Sequence, residues 1–162
     1  MTEKIYTNCF LVENDINGNP ESVYLGLKKR GFGMGLWNGA GGKSDNGEVL
    51  ERTMLRELYE EFQVEGLEYS KRAEIEFFLR EENKEVKMNA FFCSKWKGEL
   101  KETEEMVPKK FDVSQIPYKE MWEGDREWLP IVLQGKKIRA SFIYDKEGGH
   151  VEKREIIEVI EL

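Results

Sequence analysis

The chain has 162 residues and a mass of 19.0 kDa, with 40% hydrophobic and 12% aromatic residues; this fits one globular domain over 1–162 and excludes a disordered chain. Its net charge of −7 argues against a nucleic-acid sheath, which depends on neutralising many phosphates, while a small polyanion met by local cations stays open. No segment reads as a signal peptide and no apolar run approaches the roughly 20 residues that span a bilayer, so a cytoplasmic monomer without membrane contact is expected.

KIYTNCFLV (4–12) reads as a first strand and NDINGNP (14–20) as a chain-reversing turn. SVYLGLKKR (22–30) reads as a second strand ending in the cations Lys28, Lys29 and Arg30. Residues 31–47 hold seven glycines, a density that opposes regular structure but lets backbone amides approach a ligand. A helix is predicted over Glu48–Phe62, where Leu50, Met54, Leu55, Leu58 and Phe62 share a broad apolar sector. AEIEFFL (73–79) and VKMNAFFCSKW (86–96) form a predicted strand pair around the EENKE turn. GELKETEEM (98–106) reads as a charged loop, and VPKKFDV leads into a short segment. DREWLPIVLQG suggests a second helix with Gly135 beyond its end; Pro130 within it implies a late start, a kink or an irregular first turn. KKIRASFIYD and VEKREIIEVIEL close the chain as a hairpin, with His150 in its exposed turn. That single histidine leaves zinc sites and histidine triads little to build on. Cys9 and Cys93, each in a strand-like run, read as buried thiols. Strands interrupted by two helices predict an α+β fold, a mixed sheet flanked by helices as an α/β/α sandwich.

The chemistry concentrates in the first helix. Glu57, Glu60 and Glu61 fall within a sector of about 100° on one helix face. Like charges at such spacing cost about 0.2–0.5 kcal/mol per pair. A hard divalent cation shared with substrate phosphates would offset that cost.

These residues sit in a longer spacing: Gly42, five residues, Glu48, seven residues, then Arg56, Glu57, Leu58, Glu60, Glu61 and Val64. In that box the chain resembles the Nudix hydrolases, a family that cleaves nucleoside diphosphates linked to another moiety. It departs from the pattern at Gln63, where a glycine is usual, a change expected to alter helix termination. The resemblance implies that Glu57, Glu60 and Glu61 ligate Mg²⁺ or Mn²⁺, with the Gly41 carbonyl as a further ligand and Glu48 pairing structurally with Arg56. The general base would be Glu60, Glu61 or a loop acid.

The resemblance extends over most of the chain to a branch of that family acting on oxidised purine nucleoside triphosphates such as 8-oxo-dGTP. It is carried by IYT (5–7), KKRGFGMGLWNGAGGK (28–43) and YKEMWEGDREWLP (118–130). It implies that Asn38, Trp122 and Asp125 bind the base, that Thr7, Phe32 and Met106 line the pocket, and that Lys28 contacts substrate. Glu105 corresponds to a catalytic loop acid near the metal. Read as residues, Trp122 offers a flat face for a base, and Asn38 offers a donor and an acceptor or simply a turn. Asp125 either holds a purine edge or caps the following helix. The branch carries paired acids where this chain has Gly124 and Asp125, and Ala40 and Lys87 replace apolar residues, so an altered pocket shape is expected. The expected function is a Mg²⁺-dependent pyrophosphohydrolase that converts oxidised purine (deoxy)nucleoside triphosphates to monophosphate and pyrophosphate. Another nucleoside triphosphate, a nucleoside diphosphate derivative, or a non-catalytic nucleotide-binding module are the other readings.

Overall fold

In the computed structural model, which describes residues 3–145 and 149–162, β1 (Lys4–Asn14) occupies the middle of one mixed sheet. Its side chains alternate between two cores. Cys9 and Leu11 face one layer and Phe10 and Val12 the other, the period-2 pattern of a strand buried on both faces. β2 (Pro20–Lys28) runs antiparallel to β1, and β6 (Lys84–Lys97) runs parallel to it on the other side. β5 (Glu65–Leu79) pairs antiparallel with β6 and parallel with β8 (Lys137–Tyr144), which forms the closing hairpin with β9 (Val151–Val159). Lys146, Glu147 and Gly148 of the predicted hairpin turn lie outside the described residues.

One helix covers each face, giving the expected α/β/α sandwich. α1 (Leu50–Phe62) buries Met54, Leu58 and Phe62 against Cys9, Leu11, Phe91 and Cys93. α2 (Asp125–Leu133) buries Trp128, Leu129 and Val132 against the opposite face, where the Trp128 ring meets Phe10 edge-on at 5.9 Å. The two cysteines are free and buried, as expected. No helix of the described residues is long and apolar enough to cross a membrane.

The structure corrects several expectations. The glycine-dense stretch contains two strands, β3 (Trp37–Asn38) and β4 (Ala40–Lys43), paired with β2 and β1 respectively. Glycine permits this because β4 approaches β1 too closely for side chains: a Cβ on Gly41 would stand 2.0 Å from the Thr7 carbonyl oxygen. β5 starts eight residues before Ala73, and its register shifts between Gly66 and Ala73 mask the alternation. A further strand, β7 (Met106–Asp112), lies along β2. Among the described residues it pairs with no other strand, so Pro108 sits on an edge strand, where a missing N–H is tolerated. Pro130 lies inside α2, whose first turn is irregular: Asp125 and Glu127 donate to carbonyls three residues back.

Gln63 does not alter helix termination. It adopts the left-handed conformation of a glycine cap (φ 61°, ψ 32°) and donates its N–H to the Tyr59 carbonyl, while its side-chain amide bonds the same oxygen at 2.9 Å. A side chain in this region is strained by roughly 1–2 kcal/mol. Gln63→Gly should therefore stabilise the protein by about 0.5–1 kcal/mol after the greater unfolded-state entropy of glycine is counted; urea denaturation showing a lower midpoint for the glycine variant would contradict this.

Candidate active site

α1 places its acids by their position around the helix. Arg56 is the hub of the exposed side. Its guanidinium donates to Glu48 at 3.0 and 3.1 Å, to Glu57 at 2.8 Å, to Glu60 at 3.4 Å and to the Lys43 carbonyl at 3.2 Å. Glu48 lies just before the helix rather than within it, and also accepts from the Asp45 N–H and the Thr53 hydroxyl. The Arg56 bonds first, then the Asp45 amide, hold its carboxyl down to about pKa 2. The pairing of Glu48 with Arg56 is as the resemblance implied.

Glu61 points inward. One carboxylate oxygen accepts from the Gly41 N–H at 2.9 Å, and the other is buried with no partner. Burial pushes this carboxyl up to about pKa 8, against the opposing charge of Lys28. Glu57 lies against Gly42, where a Cβ would stand 2.4 Å from its Oε1, and burial raises its pKa as well. Glu60 is about half exposed. Glu105, in the loop before β7, is bonded by Arg30 at 2.6 and 3.0 Å, which lowers its pKa, and its charge still reaches Glu61. Thus Glu57, Glu60, Glu61 and Glu105 share a neighbourhood without converging: among the described residues no three acidic, histidine or cysteine side chains form a ready metal cage. The cause is electrostatic, since Glu57 and Glu60 turn to Arg56 and Glu105 turns to Arg30.

Beside this helix face opens a cleft of about 160 Å³. Thr7, Lys28, Phe32, Asn38, Met106, Trp122 and Asp125 all line it, as does Gly41. Trp122 and Phe32 form one wall, their rings 5.1 Å apart and tilted by 31°, with the Lys84 ammonium 4.6 Å from the Phe32 centroid. Lys28 lines the cleft and its charge reaches Glu57, Glu61 and Glu105. Lys29 and Arg30 instead turn to the acidic 102–105 loop.

Asp125 is the cleft's buried acid. Its Oδ1 accepts from the Trp128 indole N–H at 2.9 Å and its Oδ2 has no partner. It does not cap α2: it is the first helical residue, preceded by Gly124 with no side-chain cap. Burial raises its pKa to about 7, opposed by the Trp128 bond. A Cβ on Gly124 would stand 3.0 Å from the Tyr144 hydroxyl oxygen and 3.1 Å from the Phe142 ring, and the Gly124 N–H donates to that hydroxyl. The hairpin therefore fills the space beside Asp125.

Ala40 and Lys87 do not shape the cleft. Ala40 is buried in the α1 core. Lys87 alternates with the cleft residues Val86 and Met88, and pairs with Glu3 at 2.6 Å. The reading from residues missed Asn8, which lines the cleft and donates to Asn38. Strand alternation from Tyr6 would have placed Asn8 on the same face. Thr7, Asn8, Glu61 and Asp125 carry all the buried side-chain polar atoms without a partner among the described residues. Such atoms are rare in folded proteins, and their clustering marks a ligand site.

A model of the NUDIX domain matches residues 11–131. The oxidized purine nucleoside triphosphate hydrolase of Danio rerio is 36% identical over 153 residues, 94% of this chain and 94% of that one. The protein of the same description from Mus musculus is 35% identical over 146 residues, 90% of each. Among solved structures, a mutator MutT protein from Bacillus halodurans superposes with a TM-score of 0.80 at 22% identity, covering 94% of this chain and 97% of that one. This last likeness is one of fold.

The buried acid makes stability depend on pH. The folded-state pKa of Asp125 lies above its ordinary 3.8, so folding favours the protonated form. Its contribution is full below about pH 4 and is lost as pH rises through about 7. Asp125→Asn, which cannot ionise, should match the wild type in thermal stability near pH 4 and exceed it near pH 8, by up to about 4 kcal/mol. Equal differences at both pH values would refute an ionisation cause.

Proposed function

This chain belongs to the NUDIX family, and from that premise we propose that it hydrolyses oxidised purine (deoxy)nucleoside triphosphates such as 8-oxo-dGTP to the monophosphate and pyrophosphate. The observation that carries this reading is an adjacency. An aromatic cleft with unpartnered polar groups lies beside a helix face of three acids, and Lys28 lines the cleft while its charge reaches two of those acids. A base enters between Trp122 and the polar groups Asn38 and Asp125, where stacking supplies about 1–3 kcal/mol. The phosphates then extend past Lys28 toward α1.

The residues there fit a hard divalent cation. The donors are carboxylate and carbonyl oxygens, and Glu61 keeps one buried oxygen unpartnered. Glu57, Glu60, Glu61 and Glu105, with the Gly41 carbonyl, would hold Mg²⁺ or Mn²⁺. Such an ion, when bound, lowers the pKa of water and offsets charge on phosphoryl oxygens. Water attacks phosphorus, the anhydride P–O bond breaks, and pyrophosphate departs with the bonding pair. A carboxylate among Glu60, Glu61 and Glu105 accepts the water proton. Lys28 orients the phosphates as a point charge, while Arg56 keeps the acidic face tolerable to the helix. Identity of 36% and 35% with two proteins described as oxidized purine nucleoside triphosphate hydrolases supports the substrate class.

The test is a panel of 8-oxo-dGTP, 2-hydroxy-dATP, dGTP, ADP-ribose and a dinucleoside polyphosphate with Mg²⁺, scored by kcat/KM and products. An oxidised purine triphosphate should lead and yield pyrophosphate; equal rates on dGTP and 8-oxo-dGTP would sink the sanitation reading. Glu60→Gln, at a half-exposed position, should keep its Tm while kcat falls by about 100-fold or more, as when one group stabilising transition-state charge is removed. Unchanged turnover in that variant would remove Glu60 from the ligand set.

A further inference from the structure

Asn8 lies on β1 opposite Gly41 of β4 and Ala90 of β6, and its side chain reaches the cleft although the residue is only 4% exposed. The main chain fixes which way its amide faces. The Gly39 N–H can only donate, so the Asn38 atom it meets at 2.9 Å is the carbonyl oxygen Oδ1. That oxygen lies 2.8 Å from the terminal Asn8 atom facing it, which must therefore be the donor Nδ2. Asn8 Nδ2 also meets the Met88 sulfur at 3.6 Å. Both amides are thereby oriented by a backbone group rather than by choice of flip. What remains is one buried acceptor, Asn8 Oδ1, with no partner, and one donor, Asn38 Nδ2, with no bond among the described residues. A Cβ on residue 39 would stand 2.3 Å from Asn8 Oδ1, so only glycine lets this oxygen sit where it does.

An orphaned buried carbonyl in a cleft that also holds Met88 and Met106 is a loss for folding alone, since a leucine would fill the space with nothing left unpaired. We infer that Asn8 is a specificity-determining residue. Its Oδ1 accepts an N–H from the bound base while Asn38 Nδ2 donates to the acceptor beside that N–H. The ligand class is a heterocycle whose edge carries a ring or exocyclic N–H next to a carbonyl or ring nitrogen; guanine and its 8-oxo derivative both qualify. This rests on the reading above only in taking the cleft's ligand to be a nucleotide base. It adds a group that demands a hydrogen on the base edge, whereas stacking on Trp122 accepts any base. Sites built to hydrogen-bond a substrate group reject analogues that lack it strongly, because the protein's own group is then left unpaired.

The test measures binding rather than turnover. Wild type, Asn8→Leu and Asn8→Ala are titrated calorimetrically with 8-oxo-dGMP and with purine riboside monophosphate, whose ring edge has no N–H. The wild type should prefer 8-oxo-dGMP, and both variants should weaken 8-oxo-dGMP by about 10-fold while changing purine riboside monophosphate by less than about twofold. With 8-oxo-dGTP, the variants should raise KM and leave kcat nearly unchanged. Parallel weakening of both monophosphates, no weakening of either, or a wild type that binds them equally or not at all would each overturn the inference. A protein that shows the binding ratio yet releases no pyrophosphate would instead count against the proposed reaction and leave Asn8 standing.

Discussion

The arrangement depends on how closely β4 lies against β1. Positions 39, 41 and 42 have no room for a side chain, since added Cβ atoms would collide with Asn8, with the Thr7 carbonyl and with Glu57. This contact joins two halves that are distant in sequence. On one side, the Gly41 N–H holds Glu61 and the bare Gly42 admits Glu57. On the other, the Gly39 N–H orients Asn38, and Asn38 orients Asn8. One short glycine strand thus sets the distance between the acids of α1 and the polar floor of the cleft. A methyl group at any of these positions would push the two apart before it changed any charge.

Arg56 supplies the electrostatic counterpart. A helix face with Glu57, Glu60 and Glu61 repels itself, and the guanidinium spreads its donors over Glu48, Glu57 and Glu60. Its bond to the Lys43 carbonyl also ties α1 to the end of β4. Glu61 lies outside this network and is buried with a free oxygen. The acid least relieved by cations is therefore one inward carboxyl next to the cleft, which burial keeps protonated to about pKa 8 against the opposing charge of Lys28. Burial that raises the pKa of such a group is the same physics that makes it bind a cation strongly.

Much of this was legible in the chain. The 3.6-residue period fixed the apolar face of α1, and strands interrupted by two helices pointed to a mixed sheet with helices packed on its faces. The resemblance to a branch of the family brought together seven residues, Thr7 and Met106 among them, that do line one cleft. What escaped reading had physical reasons. Propensity reads glycines as loop, but β4 exists because tertiary contact rewards a missing side chain, and the two-residue β3 pairs with β2 just before it. The start of β5 is hidden by shifts in register, and β7 by Pro108 and a polar edge. Lys87, expected to alter the pocket, lies by strand parity on the opposite face from Met88. Asn8 stood unnoticed inside an apolar run, where one amide looks like an interruption rather than a group held in place by a glycine N–H thirty-one residues away.

The departure at Gly124 gains a physical meaning from its neighbours. Tyr144 and Phe142 of β8 occupy the space that a side chain at 124 would need, and the Tyr144 hydroxyl takes the Gly124 N–H. A second acid at that position would have to displace a hydrogen-bonded ring, so the cleft works with one buried carboxyl, Asp125, whose proton affinity is raised by burial. A single acid near neutrality changes between donor and acceptor with pH and so discriminates poorly by itself. The amide pair does not titrate, and its donor and acceptor are set by the backbone. On the proposed reading, fixed recognition at Asn8 and Asn38 stands beside adjustable recognition at Asp125, a single acid where the branch this chain resembles is expected to carry a pair.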